Sequence, residues 1–289
     1  MAPVTAHLIA LSPSSDAKSF EHALKTFRSQ ANGSSLLWAG YCHHWIHEPQ
    51  LSRPALTGIG SILKQWDFVL VTDQTIPNAQ GLPVALLNLV SDHWSITFDA
   101  ADELINGVED SMRDVISKSP PALPAGWSPE DLSGLRKSAP PADLVTSLGT
   151  RSPVFGKDKS ASLMDLKTFV ESHVLENPGP IFMFNLLSFF PNQQAQYLNY
   201  VSAFVQEIGP KYGARPVIYG FGVSGWTSRP EDAADPGVWE NVAVIGYPSL
   251  LHFAKMLDDA RYAELDRAYK GGVVRDNPLI CCTTVDFTA

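Results

Sequence analysis

The chain has 289 residues, 45% of them hydrophobic, with a formal net charge of −9 and a pI near 5.3. That length and apolar content can build a core in each of two ordinary domains, and the acidic balance argues against nucleic acid or an anionic membrane as partner, since both reward a basic patch and no Lys/Arg cluster occurs. Residues 1–11 lack the basic start and apolar segment of a secretory signal, no run approaches the roughly 20 apolar residues of a membrane span, and three cysteines, Cys42, Cys281 and Cys282, are too few and too odd for a disulfide framework. The expectation is a cytoplasmic protein with reduced, buried thiols.

In chain order, His7–Leu11 reads as a first strand, and Phe20, Ala23, Leu24 and Phe27 as the apolar stripe of a helix. Leu36–Trp45 (LLWAGYCHHW) and the run that begins Trp66-Asp67-Phe68-Val69 are strands, and Ser95–Asp99 closes the set. Asp102–Ile116 predicts a helix with Leu104, Val108, Met112 and Val115 on one side. The stretch 120–160 is rich in Pro, Ser, Ala and Gly and reads as a linker, whose Trp127, Leu132, Leu135 and Leu144 predict that it drapes over a domain surface. A further helix is predicted at Leu163–Val174.

From Gly179 the pattern becomes regular. Ile181–Leu187, bounded by prolines, is a buried strand interrupted by Asn185. Leu198, Val201, Phe204, Val205 and Ile208 form a helical stripe ending at Gly209-Pro210. Pro216–Gly222 and Asn241–Tyr247 are strands, Ser249 caps a helix with Leu250, Phe253, Ala254 and Leu257 on one face, and Leu279–Phe287 is the last strand. The order β-α-β-β-α-β is ferredoxin-like. The first half echoes it: LLWAGYCHHW parallels VIYGFGVSGW (217–226), and Trp66-Asp67 parallels Trp239-Glu240.

Three histidines in five residues, His43, His44 and His47, make the densest candidate for acid/base work, since imidazole titrates near pH ~6.5. On a regular strand His43 and His44 would point to opposite faces, and only His43 and His47 could share a side, too few to close a metal site. His93, before the last strand of the first unit, and Asp73, at the end of its third strand, are further candidates, each equally readable as a turn residue. Asp67 and Glu240, one residue after matching tryptophans, could act as acid and base or face solvent. Asn185 must hydrogen-bond either backbone or a ligand oxygen, because an unpaired buried amide costs about 1–3 kcal/mol. The chain has no GxGxxG after a strand, no P-loop, no GxSxG and no HExxH, which lowers the odds for nucleotide cofactors, serine hydrolysis and zinc peptidases.

The C-terminal half, through FNLLSF, KYGARPVIYGFG, WENVAVIGYPS and KMLDDARYAELDRAYKGGVVRDNPL, resembles the dimeric α/β-barrel superfamily, in particular its small stress-type members and fungal two-unit proteins. HHWIHEP in the first half is similar to a motif of the EthD-like branch, displaced relative to the helix. The resemblance implies an α+β fold of two tandem ferredoxin-like (βαββαβ) units, residues 1–117 and 161–289 joined by the linker 118–160, packed as an intrachain barrel. Members include cofactor-free monooxygenases, cyclases, decarboxylases, isomerases and some haem enzymes, so fold leaves the chemistry open. Aromatic residues on the strands, Trp38, Tyr41 and Trp45 in one half and Tyr219, Phe221 and Trp226 in the other, predict an apolar pocket where the sheet faces meet. The expected function is a cofactor-independent lyase, isomerase or cyclase acting on an apolar oxygenated small molecule. His43, His44, His93 and Asp73 are its catalytic candidates, and Trp38, Tyr41, Asn185, Tyr219, Phe221, Trp226 and Glu240 bind substrate, with no metal and no cofactor. The alternatives are a non-catalytic binding or scaffold protein, and a haem-dependent enzyme using a lone histidine such as His173 or His252. Two fused units predict a monomer or a homodimer.

Overall fold

The computed structural model describes residues 1–30, 36–52, 56–59, 62–73, 82, 84–117, 151–154, 162–222, 226–227 and 239–287. Its main elements are strands β1 (Ala2–Leu11), β2 (Leu36–His47), β3 (Phe68–Asp73) and β4 (Val90–Ala100) in the first half. The second half supplies β5 (Ile181–Phe189), β6 (Arg215–Phe221), β7 (Asn241–Tyr247) and β8 (Leu279–Thr284). Helices are α1 (Ala17–Gln30), α2 (Val108–Ser117), α3 (Leu166–Glu176), α4 (Gln194–Ala203), α5 (Leu250–Leu257) and α6 (Ala260–Tyr269).

All eight strands pair antiparallel and the ring closes: β1–β3–β2–β8–β5–β7–β6–β4 and back to β1. The result is a mixed α+β protein built on an eight-stranded antiparallel barrel. Within each half the spatial order is fourth, first, third, second strand, and the halves join along two seams, β2–β8 and β6–β4. Closing the ring leaves none of these strands with an unpaired edge.

Even-numbered residues of β1, β4 and β5 point inward. Val4, Ala6, Leu8, Trp94, Ile96, Phe98, Phe182, Phe184 and Leu186 share one cluster with Trp38, Val69, Val71, Val242 and Val244. Val108 and Val115 of α2 join this cluster. The interior is in contact where glycine permits it: a Cβ on Gly220 would sit 2.1 Å from Phe98 Cδ2, one on Gly40 2.6 Å from Trp38 Cζ2, and one on Gly246 2.8 Å from Val115 Cγ2.

Outward residues pack under helices. In the first half Ile9, Phe68 and Leu70 meet Phe20 and Leu24 of α1. In the second half Met183, Leu187 and Tyr247 meet α3 to α6. The expected stripe on α4 is rotated. Tyr197, Tyr200, Phe204 and Ile208 are buried, whereas Leu198 and Val205 are each 44% exposed. Four-step spacing held for Phe204 and Ile208, but the larger aromatic surface of the two tyrosines won the buried side. The helix predicted at 102–116 breaks at Gly107 into Asp102–Asn106 and α2. Ser249 makes no side-chain cap for α5, because its hydroxyl lies 2.8 Å from His252 Nδ1. A helix not foreseen, α6, is capped by Asp259, whose carboxylate accepts from the N–H groups of Arg261 and Tyr262. Of the proposed linker, only the strand Arg151–Val154 lies among the described residues, pairing with β2 at His44.

The echo between halves reappears in the backbone. Asp67 N–H donates to Ile9 O (2.8 Å), and the Asp67 carboxylate accepts from Leu11 N–H (2.6 Å). Glu240 N–H donates to Leu187 O (2.8 Å), and its carboxylate accepts from Phe189 N–H (2.8 Å). The carbonyls of both acidic residues then accept from the second strand of their half, from Cys42 N–H (2.9 Å) and Gly222 N–H (3.1 Å). The pair therefore clamps strand ends, which corrects the acid/base and substrate-contact expectations for Asp67 and Glu240. Asp67→Ala and Glu240→Ala should each cost about 1.5–3 kcal/mol, because each leaves a strand-end N–H without its charged acceptor. Urea titrations of the two variants and their double test this, and because three strands separate the two sites round the ring the losses should add.

Candidate functional site

Strand parity separates the predicted site residues. Trp38 points into the barrel, 5.9 Å from the Phe182 ring, and is fully buried. Tyr41, three residues on, has the opposite parity and lies outside under α1, where its hydroxyl donates to Glu21 (2.6 Å) and its ring lies 4.8 Å from Phe68. Tyr219 and Phe221 also point outward, with rings 4.8 Å apart edge to face. Tyr219 accepts from Asn241 Nδ2 (2.6 Å), whose Oδ1 accepts from Gln194 at the start of α4 (2.7 Å). The expectation that Tyr41, Tyr219 and Phe221 line the barrel interior is therefore corrected. Trp226 pairs with Ile96 of β4, and its side chain lies outside the described residues. Asp73 ends β3 opposite Val4, half-buried and away from the histidines of β2.

His43 and His44 share one face after all. Cys42 opposes Cys282 and His44 opposes Cys281, so His43 is an extra residue in β2, a bulge that breaks alternation. Both rings meet α3: His43 lies 4.5 Å from His173, and His44 lies 4.5 Å from Phe169, one turn earlier. His43 Nε2 is 2.7 Å from the Thr283 hydroxyl. His173 is flanked by His43 and by Phe169, 4.9 Å away. Burial, reinforced by His173, pushes His43 down to about 3, and burial lowers His173 to about 4 despite Glu176. These three ring-packed histidines form a wall between sheet and helix.

A different arrangement surrounds His93. Its Nε2 lies 3.0 Å from His7 Nδ1, and His7 Nε2 lies 3.1 Å from the Thr72 hydroxyl. Thr5 and Thr97 continue the polar patch one step along the same face, 3.0 Å apart. His7 is fully buried, whereas His93 is half-buried. Burial, with His93 adding to it, holds His7 well below its usual range. Burial also takes His93 down to about 4, against the pull of Asp92. Both imidazoles are neutral at pH 7. If His93 Nε2–H donates to His7 and His7 Nε2–H donates to Thr72, the lone pair on His93 Nδ1 is left to take a proton. Tautomers are assigned from the bonding pattern.

Sequence reading missed His7 because it looked like one polar residue in an apolar strand. The signal lies in the repeat: counting back two residues from the carbonyls clamped by Asp67 and Glu240, Ile9 and Leu187, reaches His7 and Asn185. Both halves put a polar residue at that outward step of their first strand. Asn185 Nδ2 donates to Met183 O (2.8 Å) and the residue is half-buried.

The second half also holds a buried ion pair, Lys270 Nζ to Asp266 (3.0 Å), with Nζ 4.4 Å above the Tyr200 ring and 5.8 Å from Tyr262. His47, which burial and then Lys270 push down to about 3, has a buried Nε2 with no partner among the described residues. Among the described residues no group of three or more His, Cys, Asp or Glu is arranged to hold a metal ion, and no helix is long and apolar enough to cross a membrane.

No family model and no curated protein matches the chain. Among solved structures, a protein of unknown function from Rhodopseudomonas palustris aligns at 24% identity over 36% of this chain and 82% of its own, with a TM-score of 0.30. A putative monooxygenase from Lactobacillus acidophilus aligns over 99% of this chain and 95% of its own at 8% identity, TM-score 0.45. One of the same description from Fusobacterium nucleatum covers 99% and 93% at 6% identity, TM-score 0.39. At these scores none of the three transfers a chemistry, and the barrel rests on this chain's own strand pairing.

Proposed function

We propose that the protein is a cofactor-independent lyase, isomerase or cyclase that moves a proton on an apolar, oxygenated small molecule, with His93 as the accepting base. The observation that carries this reading is the chain His93–His7–Thr72: a half-buried imidazole backed by a fully buried one whose far nitrogen reaches a hydroxyl. Such backing fixes the tautomer of the outer ring, and a positioned base contributes about 10²–10⁴-fold to proton transfer. Asn185 and Tyr219, which bond Met183 O and Asn241 Nδ2 on the outward face of the other half, take no part in this site. We further read the two halves as tandem ferredoxin-like units of a fungal, cytoplasmic member of the dimeric α/β-barrel group, as a monomer or homodimer. The matched clamps at Asp67 and Glu240 support the duplication.

The test uses enolisable 1,3-diketones in D₂O, followed by NMR. Exchange of the acidic C–H should run faster than in buffer and fall at least 100-fold in His93→Ala, while His43→Ala and His44→Ala retain it. Exchange no faster than buffer, or unchanged in His93→Ala, would sink the assignment. A Soret band in the purified protein would replace it with the haem-dependent reading.

A non-catalytic binding role has one observation in its favour. The buried indole N–H groups of Trp38, Trp94 and Trp239, all in the interior cluster, have no acceptor among the described residues, and an oxygen-bearing apolar guest would supply one. Tryptophan fluorescence that shifts with such a ligand, and does so equally in His93→Ala, would favour that role.

A further inference from the structure

Cys42 and Cys282 face each other across the β2–β8 seam, where the last strand of the second half meets the second strand of the first. Cys42 N–H donates to Asp67 O on the β3 side. In an antiparallel pair a residue's N–H and C=O point the same way, so relative to β8 Cys42 occupies a non-hydrogen-bonded position, where Cα atoms approach to about 4.5 Å and side chains are closest. That spacing lies within the range disulfides span, about 4.4–6.8 Å between Cα atoms. Both thiols point into the barrel interior, where Cys282 Sγ–H donates to Ile280 O (3.8 Å). Cys281, one residue earlier, points outward into the cluster under α3 opposite His44. All three cysteines are free and buried.

We propose that Cys42 and Cys282 are a modification site, a dithiol that hydrogen peroxide converts to a disulfide stapling the two halves of the barrel along this seam. One thiolate attacks the peroxide O–O bond, giving a sulfenic acid and one water. The second sulfur then attacks the first, the S–S bond forms as the S–O bond breaks, and a second water leaves. Two thiols lose two electrons and two protons, and the peroxide is reduced to two waters. Burial keeps the Cys282 thiol protonated, so the reaction waits on opening of the seam.

The experiment treats the folded full-length protein with hydrogen peroxide, counts thiols and maps peptides. Two of the three thiols should disappear, a Cys42–Cys282 peptide should form, and Tm should rise by about 5–15 °C, reversed by dithiothreitol, because the bridge closes a very long loop. Cys281→Ser should behave as the parent protein, and Cys42→Ser should lose the Tm rise. Three titratable thiols after treatment, a bridge that includes Cys281, over-oxidised cysteine without a bridge, or a mapped Cys42–Cys282 bridge with no rise in Tm would each overturn the proposal.

Discussion

Replacing Lys270 by alanine is expected to cost about 3–5 kcal/mol. The ammonium is 3.0 Å from Asp266, and both side chains are only 10% exposed. Burial works against the charge on Lys270, but Asp266, Tyr200 and Tyr197 together raise it well above the ordinary lysine range, so the ammonium stays charged at neutral and alkaline pH. Alanine would leave the Asp266 carboxylate buried among tyrosines with no counter-charge and would remove the cation from the Tyr200 ring. The double variant Lys270→Met/Asp266→Leu should recover most of the loss, since a buried pair replaced by apolar groups of similar volume is often neutral. Urea unfolding of both variants measures this; a Lys270→Ala loss below about 1 kcal/mol would mean that solvent reaches the pair.

Acid should unfold the protein well above the pH at which its carboxylates titrate. His43 and His47 are pushed down to about 3, and His93 and His173 to about 4, in each case first by burial. Unfolded, each returns to about 6.5. A folded-state pKa below the unfolded one means that the stability is complete above about pH 6.5 and is lost as pH falls toward 3–4. Between those limits each histidine removes up to about 1.4 kcal/mol per pH unit, so the four together can remove about 5 kcal/mol per unit, comparable with the whole stability of an ordinary domain. Glu240 and Asp276, raised by burial, act in the opposite sense over the lower part of the range. Denaturant midpoints measured from pH 7 to pH 5 should fall steeply, and His43→Gln should reduce the slope by about one proton. A flat profile over that interval would show that these rings are hydrated.

Much of the second half was legible because its signals are local. Asn241–Tyr247 and Leu250–Leu257 fall on the predicted residues, and Ile181–Leu187 and Pro216–Gly222 differ from the observed strands only at their ends. Runs of β-branched residues bounded by proline, and apolar residues at three- and four-residue steps, report on the nearest few neighbours, which is where secondary structure is decided. The matching of Trp66-Asp67 with Trp239-Glu240 was legible for the same reason, although the chemistry expected of the carboxylates was not what they do. Parity alone could have placed Tyr41 opposite Trp38.

By itself, then, the amino-acid order determined the eight strands in succession, most of the helices and the matched Trp-acid positions. Tertiary structure alone decided which side chains meet. The bulge at His43 turned two adjacent histidines onto one face, and ring closure brought Cys42 to Cys282. Strand pairing set His7 beside His93, and the turn after α6 buried Lys270 among tyrosines. Each of these depends on register between segments far apart in the chain. A one-residue slip there reverses every side chain, and no local periodicity encodes it.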